Sequence, residues 1–390
     1  LKKAIFLLAK VNSADVPSPT ALKNFFGNLL LVLLSLFFIL LMLEALLRAI
    51  GYNPFGEILK NEDRAIFIRP SENPQRIFEA TPNASGQGWG TRVSINRFGF
   101  RGRDYTTEKP SGTYRIAVIG DSITFGNNLP PDANYPALLE KRFAQSGKKV
   151  EVLNLALGGY DTLQEVATLE EIGLQFHPDL VLIGYCINDI GIASGNLNYI
   201  KRLQKYGDPI YHLRLAQWIR IQLDRIDQEN STVDANKAVA FYSAYRDVLA
   251  DIEPDSALAT LMQGLSGELA RSGNRATFTA DYTDANHVRR LRFALEKLHA
   301  LQSTHHFTVS AIVFPYLLEK PETHAAYQLS YRIVEHEMQR LGFSVIDIYT
   351  PFTSAGLDHL LLRNNDGVHP NAEGHRIVAE TLYQTFFTTP

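Results

Sequence analysis

The sequence predicts an α/β fold, a three-layer α/β/α sandwich around a five-stranded parallel sheet. Three observations carry that expectation. Short apolar runs ending in turns recur from Tyr114 onward, segments of helical spacing alternate with them, and polar residues suited to catalysis come directly after the runs. A brief, continuously apolar run is the pattern of a strand buried on both faces. Alternation of such strands with helices gives βαβ units joined by right-handed crossovers.

The first strand is Tyr114–Gly120 (YRIAVIG), followed by helical patterning at Tyr135–Gln145. A second strand at 150–155, a helix at 163–174 and a third strand at Leu180–Tyr185 continue the series. Strands at 308–314 and 344–348 enclose a helix at 325–341, and the last helix begins around Asn371. Between Asp189 and Thr308 no buried-strand pattern occurs. Helical spacing at 211–226, 238–270 and 287–301 fills that interval, the last preceding the fourth strand. Residues 193–281 are therefore assigned to a helical insertion, with Trp218 read as a core residue of its first helix.

At 390 residues the chain is long enough for two or three units, or for one α/β domain with an insertion. A hydrophobic share of 45% and a charged share of 20% suit a large packed core. Net charge is −3, which lacks the basic excess of a nucleic-acid-binding surface, so no nucleic-acid partner is expected. Cys186 is the single cysteine, which excludes an intrachain disulfide and a thiolate-rich zinc site. His336-Glu337 has no histidine at the position an H-E-x-x-H helix requires and reads, like His305-His306, as surface. No metal or other cofactor is expected.

Residues 24–43 carry no charge and are mostly Leu and Phe. A helix of about 20 residues rises roughly 30 Å, the thickness of a bilayer's hydrocarbon core. A transmembrane helix is expected over 24–50. No A-x-A-like site comes after it, which disfavours a cleaved signal peptide. Lys2, Lys3, Lys10 and Lys23 precede the span against Asp15, while Glu44, Arg48, Glu57 and Lys60 after it balance. The positive-inside rule keeps the arm 1–23 in the cytoplasm and exports the chain beyond the span, to the periplasm in a bacterium. Residues 51–112 read as a linker and a small β-rich collar, with a hairpin through Val93, Ile95, Phe98 and Phe100 turning at 96–99. Residues 113–390 form the remaining domain.

Open parallel sheets bind ligands beyond the carboxyl ends of their strands. There the sequence places Gly120-Asp121-Ser122, then Gly158-Gly159, then Asn188-Asp189, and Asp366-Gly367-Val368-His369 precedes the final helix. This set holds the parts for acyl transfer. A serine hydroxyl needs a base, and His369 is one; Asp366, three residues earlier, is placed to hold the imidazole's Nδ1 proton. Negative charge on a tetrahedral intermediate needs fixed donors, for which the backbone N–H groups of Ser122 and Gly159 and the Asn188 amide are candidates. Asp121 reads as a turn-bonding residue, and Cys186 as a small buried hydrophobe near the site.

The sequence resembles the SGNH (GDSL-type) hydrolases in Gly120-Asp121-Ser122-Ile123-Thr124-Phe125-Gly126, in Asn154-Leu155-Ala156-Leu157-Gly158-Gly159 and in Asp366-x-x-His369-Pro370. That resemblance implies a flavodoxin-like fold, Ser122 as nucleophile, Gly159 and Asn188 as oxyanion-hole donors, and Asp366 with His369 completing a triad. In the third block, Cys186-Ile187-Asn188-Asp189 carries cysteine where the family commonly has glycine. Thr124 stands where a G-x-S-x-G elbow needs its last glycine, which argues against an α/β-hydrolase. The expected protein is a membrane-anchored, extracytoplasmic serine esterase or O-acyltransferase acting on acyl esters, acetyl esters among them, of an envelope glycan or glycolipid. The alternative is a non-catalytic binding or assembly protein of the same fold in an envelope polysaccharide complex.

Overall fold

A computed structural model of the chain describes residues 19–54, 67–73, 75–191, 209–230, 254–273 and 275–388. Strands β1 (Ile68–Pro70), β2 (Phe78–Ala80), β3 (Ser85–Gly88) and β4 (Thr91–Ser94) precede β5 (Tyr114–Gly120), β6 (Val150–Asn154), β7 (Leu180–Tyr185), β8 (Thr308–Val313) and β9 (Ser344–Ile346). The helices are α1 (Pro19–Ala49), α2 (Ser122–Phe125), α3 (Tyr135–Gln145), α4 (Thr162–Glu171), α5 (Arg214–Asn230), α6 (Ser256–Ser272), α7 (Ala285–His305), α8 (His324–Arg340), α9 (Tyr349–Ala355) and α10 (Ala372–Thr388). The chain divides into two compact units, residues 1–57 with 208–231, and residues 58–207 with 232–390.

In the first unit, Lys23–Ala49 of α1 has a mean hydropathy of 2.9, and Phe25, Leu30, Leu36 and Phe38 are all exposed. Among the described residues it is the one helix long and apolar enough to cross a membrane. Helix α5 belongs to the same unit. Trp218, expected in the core, is instead exposed on it. The spacing identified the helix, but an apolar stripe does not reveal whether protein covers it.

The second unit holds a five-stranded sheet in the order β6-β5-β7-β8-β9, every pair parallel. All six residues of β7 are buried, as are all but the first of β5. This is the expected consequence of covering both faces with helices. The chain passes from β5 to β6 in one direction and from β6 through β7 and β8 to β9 in the other. Right-handed crossovers then put α3 on one face and α4, α7 and α8 on the opposite face. Helix α10 packs with α3 and closes the first layer. Buried Tyr135, Leu139 and Phe143 recur every fourth residue along α3, so one stripe faces the sheet.

The collar differs from the expected hairpin. Its pairs are β1 with β2 and β3 with β4, both antiparallel, and only the isolated bridge Ile95↔Arg101 reflects the predicted turn at 96–99. The side chain of Asn96 closes that turn by accepting the backbone N–H groups of Phe98 and Phe100, so 96–100 curls back without a ladder. Phe67, Phe78, Trp89 and Val93 form an apolar cluster with Phe125 and Tyr160 of the α/β domain. Tyr160 donates its hydroxyl to the Phe78 carbonyl at 2.8 Å, and Gln164 donates to that of Arg76 at 2.6 Å. Helix α4 is thus enclosed on both sides, and every residue from Thr162 to Leu169 is buried.

Of the predicted insertion 193–281, residues 193–208, 231–253 and 274 lie outside the described residues; 254–273, with α6, and 275–281 are its described parts in this unit. His336 and Glu337, expected at the surface, form part of an ion network. Glu337 is fully buried, and Arg292 meets both its oxygens at 2.6 Å. His336 Nε2 lies 3.0 Å from Asp255, the N-cap of α6. The α6 N-terminal hydrogen bond to Leu258, together with His336, holds the Asp255 carboxyl down at about 2. Removing one partner of a buried pair strands the other charge. Arg292→Ala leaves Glu337 with longer contacts, 3.5 Å to Arg340 and 4.0 Å to His336. It should lower unfolding free energy by about 3 kcal/mol, read from urea midpoints at constant m-value.

Candidate active site

Strands β5 and β7 lie side by side at the point where strand order reverses, the usual ligand-binding crevice of an open α/β sheet. Their ends are held close by small residues. A Cβ on Gly120 would sit 2.3 Å from Thr124 Oγ1, and one on Gly184 would sit 2.2 Å from the same atom. Thr124 and Tyr135 hydroxyls, 2.8 Å apart, occupy that space. The single-turn helix α2 starts here: Asp121 accepts the Ile123 N–H at 2.9 Å, and Gly126 ends it in the left-handed region.

Two side chains from elsewhere fix α2. Arg101 of the collar is buried and donates to the carbonyls of Phe125, Gly126 and Leu129 at 2.6–2.8 Å. Burial pulls its guanidinium down to about 10, so it keeps its charge at neutral pH. Asn154, at the end of β6, donates to the Thr124 carbonyl at 2.8 Å.

Ser122 Oγ lies 2.8 Å from His369 Nε2. On the other side of the ring, Nδ1 lies 2.9 Å from Asp366 Oδ2. Asp366 also accepts the backbone N–H groups of Val368 and His369 at 3.2 and 3.1 Å. Burial pushes the Asp366 carboxyl up, but the His369 contact and these two amides outweigh it, leaving the group below its ordinary value. A hydroxyl, an imidazole and an ionised carboxylate in line form a path for moving one proton.

The other predicted donors come from the neighbouring strand ends. Asn188 Nδ2 is 3.4 Å from Asp121 Oδ2, the same oxygen that Ser122 Oγ approaches at 3.0 Å. Gly159 sits in the turn after β6 with φ +84°, a conformation that favours glycine. A Cβ built on its neighbour Gly158 would be 3.6 Å from Ser122 Cβ, which sets this turn beside the serine. Cys186 is buried, and burial pushes its thiol well up, so it has no thiolate character.

Residues 118–377, two thirds of the chain, match the GDSL-like Lipase/Acylhydrolase family. The chain belongs to this family. A 75-residue segment is 35% identical to an arylesterase of Vibrio mimicus, spanning 19% of this chain and 38% of that relative. Among solved structures, the lipase/acylhydrolase from Enterococcus faecalis is similar at 16% identity and a TM-score of 0.37, covering 70% of this chain and 95% of that one. An acetylxylan esterase from Geobacillus stearothermophilus gives 15%, 0.36, 70% and 93%.

Under the serine of this GDSL-like acylhydrolase lies a group of buried acids outside the predicted site. Asp121, Asp161, Glu165 and Asp189 are all buried. Asp161 pairs with Arg290 and accepts the Gln164 N–H in a capping box. Asp189 Oδ2 accepts the Cys186 N–H at 2.6 Å. Neither oxygen of Glu165 has a hydrogen-bond partner among the described residues. Burial first, then the neighbouring Asp121 and Asp161, push the Glu165 carboxyl well up; burial and the charges of Asp121 and Glu165 do the same to Asp189. A clue existed: Glu165 is the acid within an otherwise uncharged helical stretch, T-L-Q-E-V-A-T-L. Nothing in the sequence marked Arg101.

A raised carboxyl makes the folded state bind a proton that the unfolded chain releases near pH 4.3. Stability from Glu165 is therefore greatest below that pH and declines as pH rises towards the folded value. Thermal unfolding of Glu165→Gln should show a gain in Tm over the wild type at pH 7 that shrinks towards pH 4. Parallel curves would show that Glu165 is ionised in the native state.

Proposed function

We propose that the chain is a membrane-anchored, extracytoplasmic serine ester hydrolase, with Ser122 as nucleophile, His369 as general base and Asp366 as its orienting carboxylate. One observation carries this reading: the continuous contact from Ser122 Oγ through His369 to Asp366, at 2.8 and 2.9 Å. In the first half-reaction Ser122 Oγ bonds to the ester carbonyl carbon as its proton passes to His369 Nε2. The carbonyl oxygen becomes an oxyanion facing the Ser122 N–H, the Gly159 N–H and the Asn188 amide. Collapse breaks the bond to the alkoxy oxygen, which takes the proton from Nε2 and leaves as the alcohol. Water then repeats the sequence on the acyl-enzyme and regenerates the hydroxyl.

The length and exposure of α1 support the anchor, and the four lysines before the span support an arm in the cytoplasm with the catalytic domain outside. An enzyme held at that surface meets acyl esters of envelope glycans or glycolipids, which is the substrate class proposed. If an acceptor hydroxyl replaces water at the acyl-enzyme, the same groups perform O-acyl transfer.

The test uses the full chain in detergent micelles with an activated acetyl or aryl ester. A burst of alcohol release and a Ser122-linked acyl adduct are expected. Ser122→Ala should abolish both, and Asp366→Asn should lower kcat by about 10³–10⁴-fold. Inertness of well-folded wild type across a broad ester panel would leave the non-catalytic reading.

The proposed donor role of Asn188 has its own check. Asn188→Ala should lower kcat by about 10²–10³-fold with KM little changed, measured by steady-state kinetics on the same ester. A loss confined to KM would instead make Asn188 a ground-state binding residue.

A further inference from the structure

Helix α5 carries exposed apolar residues along one flank. Trp218, Ile219 and Leu223 are 42%, 45% and 46% exposed, at the i, i+1 and i+5 positions that share one flank of a helix. Leu213 and Ile210, just before the helix, are exposed as well. On the other flank Gln217 is buried and donates to the Tyr211 carbonyl at 2.7 Å. A helix covered only by water would present the reverse arrangement.

The start of α5 is tied to one place on α1. Glu44 accepts the backbone N–H of Arg214 at 3.0 Å and of Leu215 at 2.8 Å, so its carboxylate caps the helix. Arg48 bonds Glu44 at 2.6 Å and donates to the His212 carbonyl at 3.1 Å. Glu44 is the first charged residue after the uncharged stretch 24–43. The cap thus sits where a spanning α1 would leave hydrocarbon.

We propose that α5 lies in the headgroup–acyl boundary of the bilayer that α1 spans, with Trp218, Ile219 and Leu223 among the lipid chains. This inference rests on α1 being a membrane anchor. The occupant is argued from continuity, because the apolar flank begins beside an apolar, exposed span that already requires lipid. A tryptophan on an amphipathic helix with arginines near its start (Arg214) and middle (Arg220) suits that depth.

Cys186 is the chain's single cysteine and is buried, so an introduced surface cysteine can be labelled selectively. Full-length Ile219→Cys and Leu36→Cys, each carrying a nitroxide, are reconstituted into phosphatidylcholine–phosphatidylglycerol vesicles. Both labels should be several-fold more accessible to oxygen than to a water-soluble nickel chelate. A label at 219 open to the chelate while that at 36 stays in lipid overturns the interfacial helix and keeps the anchor. Both labels open to the chelate overturns the anchor and this inference with it. A label at 219 shielded from both agents, with 36 in lipid, places protein over the face, a second copy or another segment of this chain, and also overturns it.

Discussion

The hydroxyl of Ser122 has one proton and two acceptors within reach. His369 Nε2 lies at 2.8 Å and Asp121 Oδ2 at 3.0 Å, and only the first leads to a proton transfer. Any nucleophilic role for this serine depends on which one the proton faces. Burial pushes the Asp121 carboxyl up, and its remaining acceptor capacity is shared with the Ile123 N–H and the Asn188 amide. Each of these weakens Asp121 as a competitor. Across the ring, Asp366 is held below its ordinary value and favours an imidazole whose Nε2 accepts. The two carboxyls act in opposite directions on the same proton.

That balance needs sub-ångström placement of groups 247 positions apart in sequence. The sheet supplies two of the anchors, because β5 and β7 are neighbours whose register pairs Gly120 with Gly184. Thr124 and Tyr135 wedge into the space that side chains there would fill, so α2 has one seat. The collar adds a third constraint through Arg101, which binds three carbonyls at the end of α2 and its following loop. His375, buried on α10 near His369, accepts the Tyr135 N–H at 3.1 Å. Burial pulls it down to about 3, so it stays neutral and adds no second positive charge beside His369.

The parts of this arrangement legible in the sequence are those with a local signature. Strands β5, β7 and β8 were visible because residues buried on both faces leave continuous apolar runs, the shorter edge strands β6 and β9 because they alternate with helical patterns, and Asp366 and His369 because only two residues of loop separate them. The constraints from far away left no such trace. Arg101 is one arginine among many until the fold brings it against Phe125 and Gly126. The hairpin expected through Phe98 and Phe100 did not form as a ladder because Asn96 closes the turn with its own side chain. Trp218 failed for a complementary reason: periodicity reports that one flank is apolar and says nothing of what lies against it. His336-Glu337 read as surface because its counter-charges, Arg292 and Asp255, come from elsewhere in the chain.

The buried acids divide into two groups, and the division tracks the proposed chemistry. Glu337 and Asp161 each have an arginine against them. Glu165 and Asp189, under the carboxyl edge of the sheet, have none among the described residues, and are driven towards their neutral forms instead. Two like charges about 4 Å apart at an effective dielectric near 20 repel by about 4 kcal/mol. An oxyanion forming above a set of ionised carboxylates would meet repulsion of that order from each close one. Burial and mutual repulsion, which push the Glu165 and Asp189 carboxyls up, weaken that field. Uncompensated burial thus costs stability at neutral pH, while among the described residues Asp366 is the carboxylate bonded to the His369 ring, where the proposed imidazolium needs it.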